Sequence, residues 1–188
     1  MSPAPGDARC TQDLIAALDA GAEPCYLNFW GPDPKVYGVI DESCLCNWYP
    51  ARFRLDGVTY HTTEHYLMAE KARLFGDGPI RDLVLRAVTP LEAQMLGRQV
   101  SGFREEVWVE HRFAICVTGN RAKFDQHPAL RDYLAATSPR VLVEASPWDK
   151  LWGIGVAARH PRAADPRQWR GLNLLGFSLM AVRAELGV

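Results

Sequence analysis

The sequence lacks several features that mark whole classes of protein. It has no charge bias, with 21 basic residues against 22 acidic ones in 188 and a formal net charge of −1. That balance removes the electrostatic reason to expect a general nucleic-acid binder or a membrane-surface protein, though a local basic pocket stays open. It has no cysteine framework. Cys10, Cys25, Cys44, Cys46 and Cys116 are odd in number and unpaired in spacing, and Cys44-Leu45-Cys46 is too short for C-x-x-C. They read as core or loop thiols of a reducing compartment. No apolar run approaches the length of a membrane span, so no membrane partner is expected. The opening M-S-P-A-P-G-D-A-R-C has neither the basic start nor the apolar core of a signal peptide, and a cytoplasmic protein is the expectation. No internal repeat or low-complexity segment occurs.

What is present is an ordinary globular composition, 48% hydrophobic and 23% charged, in a chain long enough for one domain with a substantial core. Residues 1–10 read as frayed, and 11–21 as a short helix stopped by Gly21. Residues 25–31 read as a strand ending at Gly-Pro, and 51–60 as a hairpin around Asp56-Gly57. Thr62 or Thr63 caps a helix to about Phe75, and T-P-L-E at 89–92 is a capping box opening a helix to about Gln99. Further helices are expected over 105–117 and 128–137, a strand over 140–145, a surface loop over 161–166, and an apolar closing helix over 172–186. The fold class expected is α+β, a single mainly helical domain with a small antiparallel β-sheet. Its organisation is an N-terminal extension with a short helix over 1–22 and a main domain over 23–188.

The densest chemistry lies in D-G-V-T-Y-H-T-T-E-H-Y-L-M-A-E-K-A, residues 56–72. His61, Glu64 and His65 fit the H-x-x-E-H pattern of inverted zinc peptidases. Such a site needs both histidines on one helix beside the metal-bound water. His61 precedes the helix cap, and no later acid has the context of a third ligand. The pattern is therefore read as coincidence, with no metal, and with both histidines as hydrogen-bonding neighbours of Glu64.

Glu64 falls in the first turn of its helix, where an acid complements the helix dipole. Lys71 follows seven residues later, nearly two full turns, on the same face. Helical side chains lean toward the N-terminus, so the lysine reaches back over Leu67 and Met68 toward the carboxylate. A lysine over apolar surface has its ammonium form disfavoured and becomes available as a nucleophile, or it simply snorkels to solvent. S-P-W-D-K-L-W-G-I-G (146–155) places Trp148, Asp149 and Trp152 ahead of Gly153 and Gly155. It reads either as an aromatic wall with an orienting acid or as a tight turn with core tryptophans. Asn173 and Gly176 share a helical face, the asparagine as a ligand contact or as a cap on neighbouring backbone.

Together these segments resemble the NADAR family, the YbiA-like N-glycosidases. The resemblance rests on Asn28-Phe29-Trp30, Cys46-Asn47-Trp48, Gly57 through Lys71, Gly97-Arg98, Trp108, Ala122 to Leu130, Leu142 to Gly155 and Asn173 to Arg183, in that order. Thr63 stands where the family has serine, the family's S-N-F is here C-N-W, and an Arg- and Pro-rich insert fills 156–170. The resemblance implies a YbiA-like fold and an N-glycosidase that cleaves ribose from an exocyclic amine. The substrates it implies are phosphorylated ribosylamino-pyrimidine intermediates of riboflavin synthesis, or ADP-ribose on the amino group of guanine.

The implied partners are thus a ribosylamine or ADP-ribose compound, or ADP-ribosylated DNA or RNA, with no cofactor; no motif assigns an oligomeric state. Glu64, Lys71 and Asp149 are the implied catalytic residues. Asn28, Phe29, Trp30, Asn47, His65, Arg98, Trp108, Trp152, Gly153, Gly155, Asn173 and Gly176 are the implied substrate-binding ones. Two alternatives stand beside this: an ADP-ribose-binding module without turnover, and a zinc-dependent hydrolase.

Overall fold

The elements follow the chain as α1 (Thr11–Asp19), β1 (Tyr26–Phe29), β2 (Phe53–Leu55), β3 (Val58–Tyr60), α2 (Thr63–Leu74), α3 (Gly78–Arg86), α4 (Pro90–Gly97), α5 (Glu105–Gln126), α6 (Pro128–Ala136), β4 (Val141–Glu144) and α7 (Leu174–Glu185). The computed structural model describes residues 4–187. They divide into two compact units, Met1–Cys46 with Pro128–Val188, and Asn47–His127.

In the discontinuous unit β1 and β4 pair in parallel, with Tyr26 opposite Val141 and Phe29 opposite Glu144. A parallel pair needs a long crossover, and here the whole of 47–127 lies between the strands in sequence. All four residues of β4 are buried, whereas β1 alternates, which explains the unbroken apolar run in Val141-Leu142-Val143. The closing helix α7 lies against β4 and buries nine consecutive residues, Leu175 to Arg183. This parallel pair adds to the antiparallel hairpin expected from the sequence.

Two expectations in this unit change. Of the residues read as frayed, 1–3 lie outside the described residues. Pro5–Asp7 form a 3-10 turn and Ala8 is fully buried. The order arises because the Asp13 carboxylate accepts from the Arg9 N–H (2.9 Å) and so closes the open start of α1. The loop expected over 161–166 is instead two 3-10 turns, Pro161–Ala164 and Pro166–Gln168, capped by the His160 and Asp165 side chains. Ala163 and Pro166 are buried, and Trp169 donates from Nε1 to the Ala163 carbonyl while meeting Tyr26 edge-on.

In the unit Asn47–His127 the hairpin β2–β3 turns at Asp56 (φ 49°) and Gly57 (φ 79°), the paired positive φ of a tight two-residue turn. Phe53 and Tyr60 stack on the hairpin, and Tyr66 of α2 closes the cluster. Thr62 caps α2, its hydroxyl accepting from the His65 N–H. The Thr89 cap of α4 accepts from the Glu92 N–H, while Glu92 reaches back to the Val88 N–H. Helix α3 was not foreseen, because Gly76 and Gly78 read as a stop. The Asp77 carboxylate accepts from the Ile80 N–H, and a cap of that kind tolerates glycine and proline at the first helical positions.

Helix α5 runs nine residues past the expected end at Val117. Thr118-Gly119-Asn120 reads as a terminator, but each residue meets a partner within or beyond the helix. Thr118 bonds back to the Ala114 carbonyl, and a Cβ on Gly119 would lie 2.3 Å from Cδ1 of Tyr66. The glycine is thus the close approach of α5 to α2. Gly119→Ala is expected to destabilise the fold by about 1–3 kcal/mol through overpacking, read as a lowered denaturation midpoint; an unchanged midpoint would contradict that packing.

Candidate active site

Helix α2 carries the charged pair foreseen in the sequence. Glu64 lies in its first turn and is only 3% exposed. A carboxylate this buried is uncommon away from a functional or paired setting. Its backbone N–H donates to the Asn47 carbonyl at 3.0 Å. The buried Asn47 side chain accepts from Nδ2 of Asn120, which also donates to the Cys116 carbonyl. Oδ1 of Asn120 accepts from the Thr63 hydroxyl. One wholly buried asparagine of α5 therefore ties both the turn at Asn47 and the start of α2, and so helps fix the position of Glu64.

Lys71, near the other end of α2, is partly buried. Its ammonium donates to the Gly97 carbonyl at 2.9 Å. It stands 4.4 Å from the ring centroid of Phe103 and 5.8 Å from that of Trp108. Desolvation by these neighbours lowers its pKa; Glu105 opposes that shift, the Arg98 charge assists it, and Glu64 opposes it. The carbonyl that holds the ammonium belongs to the residue where α4 meets α2 most closely, since a Cβ on Gly97 would lie 2.1 Å from Met68 Sδ. Arg98, the last-turn cap of α4, is exposed and donates to Gln94. Trp108 is buried in α5.

His65 is buried between two partners. Nε2 faces the Ala87 carbonyl at 3.2 Å and therefore carries the proton, while Nδ1 accepts from the Thr62 hydroxyl at 2.8 Å. Burial lowers its pKa, so the ring is neutral at physiological pH. His61 lies outside the helix, as expected, and its Nδ1 accepts from Arg52 Nε. The hydrogen bonds of these imidazoles thus run to Thr62, Ala87 and Arg52 rather than to the Glu64 carboxylate, which corrects the expectation. With both ring nitrogens engaged, His65 has no lone pair turned to a metal.

The same unit holds residues that the sequence reading missed. Asn120 could have been found, as a polar residue four after Cys116 on the buried face of α5. Lys123, one turn further, is fully buried with its ammonium 5.6 Å from the Tyr49 ring and 5.0 Å from that of Phe124. Phe103 had no local signal.

The other unit gathers the remaining candidates around the C-terminal ends of β1 and β4. Asp149 spends Oδ1 on its own turn, accepting from the N–H groups of Leu151 (2.7 Å) and Trp152 (2.8 Å). Ser146 Oγ accepts from the N–H groups of Trp148 and Asp149. Trp148 is 83% exposed and Trp152 partly buried. Gly153 packs under the Glu144 carbonyl, which a Cβ would approach to 2.8 Å, and Gly155 adopts φ +64°.

Asn173 takes the second of its two expected roles, a cap on neighbouring backbone, and it stands ahead of α7 rather than on a helical face shared with Gly176. It precedes α7 in a left-handed conformation (φ 51°), and its amide clasps β4, accepting from the Glu144 N–H and donating to the Leu142 carbonyl, each at 2.9 Å. Gly176 leaves room for that clasp, since a Cβ there would meet Leu142 O at 2.1 Å. Asn173→Asp would set a carboxylate against the Leu142 carbonyl. We expect it to destabilise the protein by about 1–3 kcal/mol or more, seen in a denaturant titration; wild-type stability would contradict the clasp. Asn28 faces away from the buried side of β1, with Oδ1 buried and unbonded. Phe29 is buried and Trp30 is exposed just beyond it.

A family model described as the NADAR domain matches residues 28–187. An N-glycosidase of Acanthamoeba polyphaga mimivirus is 38% identical over 85% of this chain and 95% of its own. N-glycosidase YbiA of Escherichia coli K12 is 34% identical over 72% of this chain and 76% of its own. Protein irg-1 of Caenorhabditis elegans is 39% identical over 81% of this chain and 80% of its own. The NMR structure of Escherichia coli YbiA superposes with a TM-score of 0.70 at 30% identity, covering 88% of this chain and 87% of that one. Among the described residues no helix is long and apolar enough to cross a membrane.

Proposed function

This chain belongs to the NADAR domain family, and on that premise we propose that it is a hydrolase of N-glycosyl bonds which parts ribose from an exocyclic amine. The carrying observation is the face of α2, where a half-buried lysine of lowered proton affinity follows a buried carboxylate at helical spacing. The relatives named as N-glycosidases support the reaction class. The substrate class is a ribosylamine with an aromatic base, either a phosphorylated ribosylamino-pyrimidine or ADP-ribose on guanine.

In the proposed reaction the glycosylamine opens its ring to an imine at C1′. The neutral Lys71 amine adds to that carbon. Proton transfer then makes the base amine the leaving group, and its C–N bond breaks to give the lysine imine. Water adds to the imine and releases the sugar aldehyde and the free lysine. Glu64, ionised at the positive end of α2, stabilises the cationic carbon and carries the protons between these steps. Arg98, exposed beside Lys71, suits an anionic phosphate on the sugar.

Incubation with a ribosylamino-pyrimidine phosphate and, in parallel, with an ADP-ribosyl-guanine oligonucleotide, followed by mass spectrometry, tests this. Base release from one of them is the expected result and names the substrate. Tight binding of ADP-ribose with no release from either would favour the non-catalytic binding reading.

A further inference from the structure

Phe103 is a large apolar residue that the fold leaves 40% exposed, directly beside the proposed nucleophile. One side of its ring holds the Lys71 ammonium at 4.4 Å, and its edge meets Phe75 with centroids 5.2 Å apart at 62°. The segment that carries it is fixed. The Asp77 carboxylate, which caps α3 through one oxygen, accepts from the Ser101 N–H through the other at 2.8 Å. Gly102 then turns the chain at φ +67° and sets the ring over the lysine. An exposed aromatic would cost less as a polar residue if solubility alone decided it, and the core does not need a ring that remains this open.

The chemistry supplies a use. When C1′ is within reach of Lys71 Nζ, the base on the exocyclic amine lies only two bonds farther on. A rigid ring next to Nζ is then at hand for that base, and stacking suits any nucleobase because each has a π-face. We propose that Phe103 is the stacking platform for the departing base and so determines which ribosylamines the site accepts. This rests on the functional reading above.

The test compares kcat/KM for a ribosylamino-pyrimidine phosphate with that for the ribosylamine phosphate of a simple alkylamine, in wild type, Phe103→Ala and Phe103→Trp. Stacking worth about 1–3 kcal/mol per base predicts that Phe103→Ala lowers the ratio of the two roughly 5- to 150-fold. Phe103→Trp is expected to restore it. A ratio unmoved in Phe103→Ala, or not recovered by tryptophan, would overturn the assignment and leave Phe103 a cover for Lys71. Titration with free guanosine, a second readout, separates this proposal from the reaction itself. If wild type turns over neither compound, the hydrolase reading fails, yet weaker guanosine binding by Phe103→Ala would still support the platform. Equal binding by both proteins would remove it.

Discussion

Glu64→Gln is expected to lower kcat by roughly 10²–10⁴-fold, the usual contribution of a positioned acid–base group. The substitution keeps the size and the backbone bond of Glu64 to the Asn47 carbonyl at 3.0 Å, so the start of α2 should remain in place. It removes only the charge and the ability to accept a proton. A loss confined to kcat, with KM little changed, is the signature of an interaction made in the transition state. Near-normal turnover would remove Glu64 from the chemistry, whatever the burial of its carboxylate.

Lys71→Arg is the second large effect. The guanidinium keeps a positive charge beside Gly97 and Phe103 but forms no imine, so kcat/KM should fall by about 10³-fold or more, as when a member of a catalytic group is removed. The pH dependence follows from the direction of the lysine's shift. Desolvation by its neighbours disfavours the ammonium, so the neutral amine forms at lower pH than for an ordinary lysine of pKa about 10.4. The wild-type kcat/KM should therefore rise with pH, with a midpoint below that value. The arginine variant should lose this limb, since arginine stays protonated throughout. Undiminished turnover by Lys71→Arg would instead favour direct hydrolysis assisted by Glu64.

Much of this region was legible in the sequence because local rules set it. Asp56-Gly57 dictates the hairpin turn, Thr62 marks the start of α2, and the seven-residue spacing puts Glu64 and Lys71 on one face. The parts that were not legible depend on distant partners. Gly119 looks like a helix breaker until the Tyr66 ring occupies the space its side chain would need. Asn173 reads equally as a ligand contact or as a cap on neighbouring backbone, and only the position of β4, where its amide bonds the Glu144 N–H and the Leu142 carbonyl, shows the second role. The histidines beside Glu64 suggested partners for it, yet the Ala87 carbonyl at the end of an unforeseen helix accepts the hydrogen bond from His65 Nε2. Phe103 stands beside Lys71 on a segment that Asp77 holds through the Ser101 N–H and Gly102 turns, and spacing in the sequence encodes nothing of that kind.

The most direct test of the Glu64–Lys71 chemistry is the intact mass of the enzyme after turnover in borohydride, followed by peptide mapping. One reduced sugar adduct is predicted, located on Lys71 and absent from Lys71→Arg. Full turnover with no adduct on any lysine, or an adduct on another residue, would contradict it.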